Sequence, residues 1–321
     1  MSALVTRADL QRARAVLDGV AVRLPLLRLA DREHPLLLKP ENLQPTGSFK
    51  LRGAFHHVAS LDGAVRAAGV VAHSSGNHAQ AVAHAARVFG VPCTVVMPDT
   101  AARVKTAAVR ALGAEVILVP AGEYRSTAES LAAGLGRVLV PPYDDLHVIA
   151  GQGTVGLEIV EDLPADATVI VPVGGGGLLS GVAAAVKLLR PACRVVGAEP
   201  ALAGDAAVSF RTGRLVAWTA AETARTAADG LRAPALGALT WRHVRAYADG
   251  IITVTEEEIR RATAFLAARA RMVAEPSGAV ATAAYLFHRA ELPPADTYVA
   301  VVSGGNIHPE DLRAVLAAET C

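Results

Sequence analysis

Short apolar runs rich in β-branched residues alternate with alanine-rich stretches along almost the whole chain. Such runs occur at 70–72, 94–97, 115–119, 169–171 and 298–302, and each is followed by a stretch of helical composition. Strands that alternate with helices indicate βαβ units and a mostly parallel sheet. Because the runs are apolar almost without interruption, we expect helices to cover both faces of the sheet. The sequence therefore predicts an α/β fold.

Length and charge narrow the class of protein. With 321 residues, the chain is long enough for two lobes or one large α/β domain. Hydrophobic residues make up 52% and charged residues 19%, a composition that predicts a buried core rather than disorder. The net charge is +1 and no basic block stands out, so we expect neither nucleic acid nor an anionic membrane as a partner.

Cysteine usage and the longest uncharged run bear on the compartment. The three cysteines, at positions 93, 193 and 321, are scattered and odd in number, which favours small buried thiols in a reducing environment. Residues 167–186 carry no charge, but Pro172 and four glycines interrupt them, which favours a strand, a loop and a helix over a membrane span. The N-terminal residues lack the pattern of a signal peptide. We therefore expect a soluble cytoplasmic protein.

Lys50 lies where a Pro- and Gly-rich turn leads into an apolar helix. The start of a helix disfavours a nearby cation, so a lysine there is unusual for purely structural reasons. A desolvated lysine amine can form a Schiff base with an aldehyde cofactor. Taken alone, the segment also fits a surface lysine whose aliphatic stem packs on apolar neighbours.

Two further segments at predicted strand ends suit anionic groups. Residues 73–80 contain Ser74, Ser75, Gly76 and Asn77, small residues that let backbone N–H groups converge on a carboxylate, although an ordinary helix cap has the same composition. Residues 174–177 are four consecutive glycines, which favour a backbone nest around a phosphate. No Gly-Lys-Ser/Thr ending follows them, so a nucleotide P-loop is excluded.

A fourth segment, Ser303-Gly-Gly-Asn, follows the run at 298–302, and its serine could bond a ring nitrogen unless the segment is only a tight turn. In order and spacing, the four segments resemble the serine racemase and threonine/serine dehydratase branch of the pyridoxal 5′-phosphate (PLP) enzymes with the tryptophan synthase β-subunit fold. The resemblance implies PLP as cofactor and Lys50 as its Schiff-base lysine. It assigns to the cofactor, besides Lys50, the residues Phe49, Asn77, Gly174, Gly175, Gly176, Gly177, Leu178 and Ser303.

The same resemblance implies an architecture. We expect the two-lobed fold type II, with mostly parallel sheets covered by helices. Residues 1–65 and 147–321 would form a large PLP-binding domain, and residues 66–146 a small mobile domain. Family members of this kind form homodimers or homotetramers, and we expect one of these states here.

Lys50 and Ser75 are the predicted catalytic residues. PLP stores the electrons released when the substrate Cα–H bond breaks, and the freed Lys50 amine is placed to take that proton. A serine opposite the ring nitrogen, Ser303, favours β-elimination, or racemisation through a short-lived carbanion. Ser75 stands where serine racemases carry a second acid/base, or it only binds the substrate carboxylate. Carboxylate binding is assigned to Ser74, Ser75, Asn77 and His78.

Other motifs are weighed against simpler explanations. Residues 196–205 resemble the divalent-cation site of the serine racemase group, with Glu199, the Ala203 carbonyl and Asp205 as ligands for Mg²⁺ or Ca²⁺, unless the carboxylates are merely solvated. Residues 228–230 and 275–278 match family segments that line the cofactor pocket. Residues 151–156 fit the dinucleotide fingerprint, but no acidic residue follows at the required distance, so NAD is excluded.

Residues 141–154 resemble the dehydratases more than the racemases, so the predicted activity is β-elimination by an L-threonine/L-serine ammonia-lyase. A serine racemase with dehydratase side activity is the first alternative. A 3-hydroxyaspartate dehydratase is the second, and it would need a cation such as Arg52 or Arg232 for the second carboxylate. A non-catalytic amino-acid-binding protein is the alternative of another class, but such a protein has no need of Lys50.

Overall fold

The structure, a computed structural model, describes residues 4–29, 36–101 and 103–318. Its strands are β1 Leu27–Arg28, β2 Leu36–Lys39, β3 Val70–His73, β4 Cys93–Pro98, β5 Glu115–Val119, β6 Val138–Leu139, β7 Thr168–Pro172, β8 Arg194–Pro200, β9 Gly250–Val254 and β10 Tyr298–Val301. The helices are α1 Arg7–Leu17, α2 Lys50–Ser60, α3 Gly63–Ala67, α4 Asn77–Phe89, α5 Arg103–Ala111, α6 Tyr124–Leu135, α7 Leu146–Asp162, α8 Gly177–Leu189, α9 Asp205–Thr212, α10 Ala220–Thr223, α11 Ala238–Tyr247, α12 Glu256–Arg269, α13 Pro276–His288 and α14 Pro309–Ala317. Short 3₁₀ turns at Glu41–Leu43, Ala201–Ala203, Asp229–Leu231 and Arg289–Glu291 complete the list.

Two sheets organise the described residues. The larger sheet has the order β1-β2-β10-β7-β8-β9, and only the β1–β2 pairing in it is antiparallel. The smaller sheet has the order β5-β4-β3-β6 and is parallel throughout. The central strands β4 and β7 are buried along their whole length. The predicted α/β fold with mostly parallel, helix-covered sheets is confirmed, whereas the predicted domain boundaries and mobility stay predictions.

The five apolar runs named above all form strands, and each leads into a helix. β5 coincides with its run. Each of the other four strands differs from its run by a single residue at one end or at both ends. Apolar side chains from both sides of the larger sheet form two large cores, while a third core lies under the smaller sheet around α4. The carboxyl ends of β2, β3, β7 and β10 therefore carry the four polar segments toward the space between the sheets.

The dinucleotide-like fingerprint at 151–156 lies in the middle of α7, so the rejection of NAD is consistent with the fold. Its glycines serve close helix packing. A Cβ on Gly153 would lie 3.0 Å from the Gly181 carbonyl oxygen, and one on Gly181 would lie 2.4 Å from the Ile149 carbonyl oxygen. The backbones of α7 and α8 therefore touch where only glycine fits.

The structure shows where two of the cysteines lie and whether its helices could span a membrane. Cys93 and Cys193 are buried free thiols, as predicted, and burial raises the pKa of Cys93 to about 12. Cys321 lies outside the described residues. None of the described helices combines the length and apolarity needed to cross a bilayer.

Candidate active site

Lys50 is the first residue of α2 and is half-buried. Its Nζ donates a hydrogen bond to the Pro142 carbonyl at 2.7 Å and lies 5.2 Å from the centre of the Phe49 ring. No carboxylate of the described ranges pairs with it. Burial alone lowers the pKa of Lys50 to about 8. Its amine is therefore within reach of the neutral form near physiological pH, as a Schiff-base lysine or a general base requires.

Residues 142–145 contact several parts of the site, beginning with Pro142, which accepts the hydrogen bond from Lys50. Tyr143 lies on the glycine loop, because a Cβ on Gly175 would come within 2.2 Å of its ring. Asp144 accepts hydrogen bonds from three backbone N–H groups at the start of α11, at 2.8 to 3.0 Å. Asp145 caps α7 and bonds His57 Nδ1 at 3.0 Å. One short segment thus fixes Lys50, the glycine loop and two helices relative to one another.

The predicted carboxylate turn joins β3 to α4. Ser74 Oγ accepts a hydrogen bond from the Gly76 N–H at 3.1 Å, and Gly76 is the N-cap of α4. The Ser75 side chain is half-buried. His78 points away from the turn, because its Nε2 bonds the Val140 carbonyl at 2.9 Å, and burial holds the pKa of its ring well below the usual value. The backbone N–H groups and the serine hydroxyls are therefore the groups available to a carboxylate.

Asn77 is held by two residues from the larger-sheet side. Its Nδ2 donates to Glu275 Oε1 at 2.5 Å, and its Oδ1 accepts from Asn306 Nδ2 at 2.8 Å. Gly304 makes room for this network, since a Cβ there would lie 2.2 Å from Glu275 Oε1. Burial and the nearby Asp229 raise the pKa of Glu275 to about 7. The Asn77 amide is thus fixed by both its ends before any ligand arrives.

The four glycines follow β7 and open α8. Gly176 has a φ of +87°, a conformation that strongly favours glycine. A Cβ on Gly174 would lie 3.0 Å from Leu231 Cα, and a Cβ on Gly177 would lie 2.9 Å from Tyr143 Cβ. Thr240 fixes the loop from α11 by donating to the Gly175 carbonyl at 2.8 Å. The loop is therefore wrapped tightly, with its N–H groups at a helix start, where an anion is favoured.

Ser303 lies two residues after the end of β10, on the larger-sheet side. It is buried, and its Oγ donates to the Ser277 carbonyl at 3.3 Å. Ser277 in turn accepts from the Gly230 N–H at 2.9 Å, which links the segments 228–230 and 275–278. The 3.3 Å bond is long, so the hydroxyl can turn to a better acceptor.

Comparison with known proteins decides the family. The model of the family described as "Pyridoxal-phosphate dependent enzyme" matches residues 20–304. The chain belongs to the pyridoxal-phosphate dependent enzymes. It is 44% identical over 310 residues to the L-threonine ammonia-lyase of Thermotoga maritima, covering 95% of this chain and 76% of that protein.

Two further similarities concern other activities. The enzyme is 41% identical over 276 residues to the L-threo-3-hydroxyaspartate ammonia-lyase of Saccharomyces cerevisiae, which covers 85% of this chain and 83% of that protein. The structure of maize serine racemase superposes with a TM-score of 0.91 at 34% identity, covering 99% of this chain and 98% of that one. The predicted family and fold type are confirmed.

The residues present fit PLP. Among the described residues, a half-buried amine with no acidic partner, a glycine-wrapped loop suited to a phosphate, a fixed amide and a buried hydroxyl follow the carboxyl ends of four strands. Glu275, Asn306 and Tyr143 lie in segments that the sequence singled out, but the contacts of these three side chains were not predicted. Asn306 stood in a quoted segment, but only the fold shows that it contacts Asn77.

The two predicted metal carboxylates lie together beside β9. Glu199 accepts hydrogen bonds from the N–H groups of Ala206 and Ala207, and Asp205 Oδ2 is buried with no hydrogen-bond partner among the described residues. Burial raises the pKa of Asp205 to about 7, while burial and the charge of Asp205 raise that of Glu199 well above its usual range. Two buried carboxylates that repel each other would suit a divalent cation chemically, and the Ala203 carbonyl stays the predicted third ligand.

Neither arginine suggested for a second substrate carboxylate is free. Arg52 is 1% exposed and is paired on both sides, with Glu41 and Glu158. Arg232 donates twice to the Thr226 carbonyl, at 2.6 and 2.9 Å. These contacts disfavour both residues as ligands of a hydroxyaspartate side chain.

Proposed function

We propose that the enzyme is an L-threonine/L-serine ammonia-lyase, which eliminates water from a small hydroxy amino acid to give a 2-keto acid and ammonia. The observation that carries the proposal is the half-buried Lys50 amine, which donates to the Pro142 carbonyl and whose pKa, lowered by burial to about 8, suits a base and an acid in turn. The 44% identity to an L-threonine ammonia-lyase supports the choice of substrate class.

PLP, when bound, withdraws electrons from the bond that breaks at the substrate Cα. Its phosphate would be held by Gly174 to Gly177, and its ring by Asn77, Ser303 and Phe49. The substrate carboxylate would bind the Ser74–Ser75 turn at the start of α4. Lys50 would take the α-proton and return a proton to the departing hydroxyl, while the Pro142 carbonyl orients its Nζ.

A neutral ring partner favours elimination. Ser303 is a hydroxyl rather than a carboxylate, so it does not hold a proton on the ring nitrogen. We infer that racemisation is the runner-up activity, supported by the half-buried Ser75 on the turn before α4 and by the similarity to maize serine racemase. If Ser75 is a second acid/base, Ser75→Ala abolishes D-serine formation from L-serine and leaves most keto-acid formation.

We also propose a domain movement, a state of assembly, a compartment and a metal site for this enzyme. Residues 66–146 are proposed to move as a small domain over the site, and the enzyme is proposed to be a homodimer or homotetramer. A cytoplasmic location is supported by the free thiols of Cys93 and Cys193. A Mg²⁺ or Ca²⁺ ion at Glu199, Ala203 and Asp205 is supported by the unpartnered Asp205 Oδ2.

The deciding experiment measures the visible absorption of the PLP-reconstituted enzyme and keto acid released from L-threonine and L-serine. We expect a bound-cofactor band that Lys50→Ala removes, and 2-oxobutanoate from threonine. Lys187→Ala, which alters a lysine of the larger-sheet side away from the site, is the matched control and keeps both signals. D-serine formed faster than pyruvate would select the racemase. No cofactor band in the wild-type protein would select the binding-protein alternative.

A further inference from the structure

One ion pair joins the two sheets across the site. Lys105 lies on α5, between β4 and β5 of the smaller sheet, and Asp229 opens the 3₁₀ turn Asp229–Leu231 on the larger-sheet side. Lys105 Nζ and Asp229 Oδ2 form an ion pair, and both side chains are partly buried. Asp229 belongs to the segment 228–230 that was predicted to line the cofactor pocket, whereas Lys105 lies outside every predicted site segment.

The Asp229 end of this pair is fixed to the cofactor loop. The next residue, Gly230, donates to Ser277 Oγ at 2.9 Å. Leu231 is buried in the core, and its Cα would lie 3.0 Å from a Cβ on Gly174. A displacement of Asp229 would therefore also shift Gly230 and Leu231, which contact the segments proposed to bind the phosphate and the ring.

The Lys105 end lies against the proposed carboxylate turn. A Cβ on Gly76 would lie 3.6 Å from Lys105 Nζ and 3.6 Å from its Cδ, which is ordinary contact. Gly76 is the N-cap of α4, next to Asn77. The lysine side chain thus reaches from the smaller sheet, past this turn, to the larger-sheet side.

The pair also acts on Glu275, the residue that holds Asn77. The groups that affect the Glu275 carboxyl are Asp229, whose negative charge raises its pKa, and Asn77 and Lys105, which lower it. Backbone from Gly304 packs on the same carboxylate. Lys105 and Asp229 therefore influence Glu275 in opposite directions, in addition to joining two parts of the protein.

We propose that the Lys105–Asp229 ion pair is a latch that aligns the substrate turn of the smaller-sheet side with the cofactor loop of the larger-sheet side. Lys105 is a positioning residue in this arrangement. The inference deepens the proposed function and rests on it for the identity of the turn as the substrate site.

The first test is hydrogen–deuterium exchange of the PLP-loaded enzyme without substrate. Lys105→Met and Asp229→Asn are each expected to speed exchange at α5 and at residues 74–77. The control is Lys187→Met, because Lys187 pairs with Asp249 at comparable burial but within the larger-sheet side. Unchanged exchange in both latch variants would overturn the proposal.

The second test is kinetic. Each single variant is expected to raise KM for L-threonine about two- to fivefold, the range for a partly exposed ion pair, with kcat nearly unchanged. The double variant should cost no more than one single variant, because the pair is lost only once. Effects that simply add would contradict the latch.

The pH profile separates positioning from loss of folding. We expect the ionisation of Glu275 to appear near pH 7 in the pH profile of kcat/KM. Lys105→Met removes a positive charge and should move it upward, and Asp229→Asn removes a negative charge and should move it downward. Damaged folding would not give opposite shifts. Shifts in one direction, or none, would refute the proposal. If the wild type forms no keto acid while the exchange differences appear, the proposed function fails and the latch stands.

Discussion

The buried ionic cluster beneath α2 gives a sharp test of what holds Lys50 in place. Arg52 donates to Glu41 at 2.8 and 2.9 Å, to Glu158 at 2.6 and 3.0 Å and to Thr154 at 3.1 Å. Lys39 donates to Glu158 at 2.5 Å. Two cations thus balance two carboxylates, and the cluster ties the first turn of α2 to β2 and α7.

Arg52→Met removes one cation and leaves two carboxylates with Lys39 alone. Glu41 and Lys39 are fully buried and Glu158 is 13% exposed, so the unpaired charge has little access to water. Breaking a buried pair on one side costs about 3–5 kcal/mol. Adding Glu158→Gln restores a net charge of zero, so the double variant is expected to be more stable than Arg52→Met.

The assay is urea unfolding at pH 7.5, followed by far-ultraviolet circular dichroism. Arg12→Met is the control, because Arg12 forms an exposed pair with Asp9, and its change should stay below about 1 kcal/mol. A loss under about 1 kcal/mol for Arg52→Met would refute the reasoning, as would a double variant that is less stable than the single one. Loss of activity toward 3-hydroxyaspartate alone, with stability unchanged, would instead assign Arg52 to substrate.

Two other variants probe buried carboxylates. The pKa of Glu275 is about 7 in the folded protein and 4.5 for a free glutamate. Its contribution to the free energy of unfolding is therefore fully present below pH 4.5 and is lost as the pH rises through 7. Thermal unfolding of Glu275→Gln should therefore show a gain of up to about 3 kcal/mol over wild type at pH 8, absent at pH 4.5; an equal change at both pH values would contradict this. Mg²⁺ or Ca²⁺ should raise the Tm of wild type and of the control Asp166→Asn but not of Asp205→Asn, and should alter the fluorescence of Trp218, whose ring lies 3.6 Å from a Cβ position on Gly204; an equal rise in all three proteins would disprove the site.

The sequence predicts those parts of the fold that rest on local pattern. The apolar run that forms β7 is buried on both faces, whereas the run that forms the edge strand β5 is only partly buried and still pairs in the sheet. A Thr6–Asp9 capping box, a local pattern readable in the sequence, opens α1. The helix α11 is not recognisable from the sequence, because Gly, Pro and Thr are scattered through residues 209–249. Its N-terminus is capped by Asp144, a residue 94 positions earlier, so no local signal marks it.

The same limit applies to the site. Lys50 and the four glycines are recognisable because a cation at a helix start and a run of glycines are unusual by themselves. Glu275 and Asn306 look ordinary in the sequence, and only the crossing of β10 and α13 beside α4 brings them to Asn77. Residues 151–156 have the glycine spacing of a dinucleotide-binding loop, but here the packing of helices, and not a ligand, requires the glycines.

The place of β10 in the larger sheet constrains how the chain can assemble while it is being synthesised. β10 lies between β2 and β7, so those two strands have no direct pairing and remain apart until residues 298–301 have left the ribosome. The smaller sheet is complete once residue 139 has emerged. A nascent chain can thus close the smaller sheet early while the apolar edges of β2 and β7 stay open, which makes that interval the one in which chaperone binding or aggregation competes with folding.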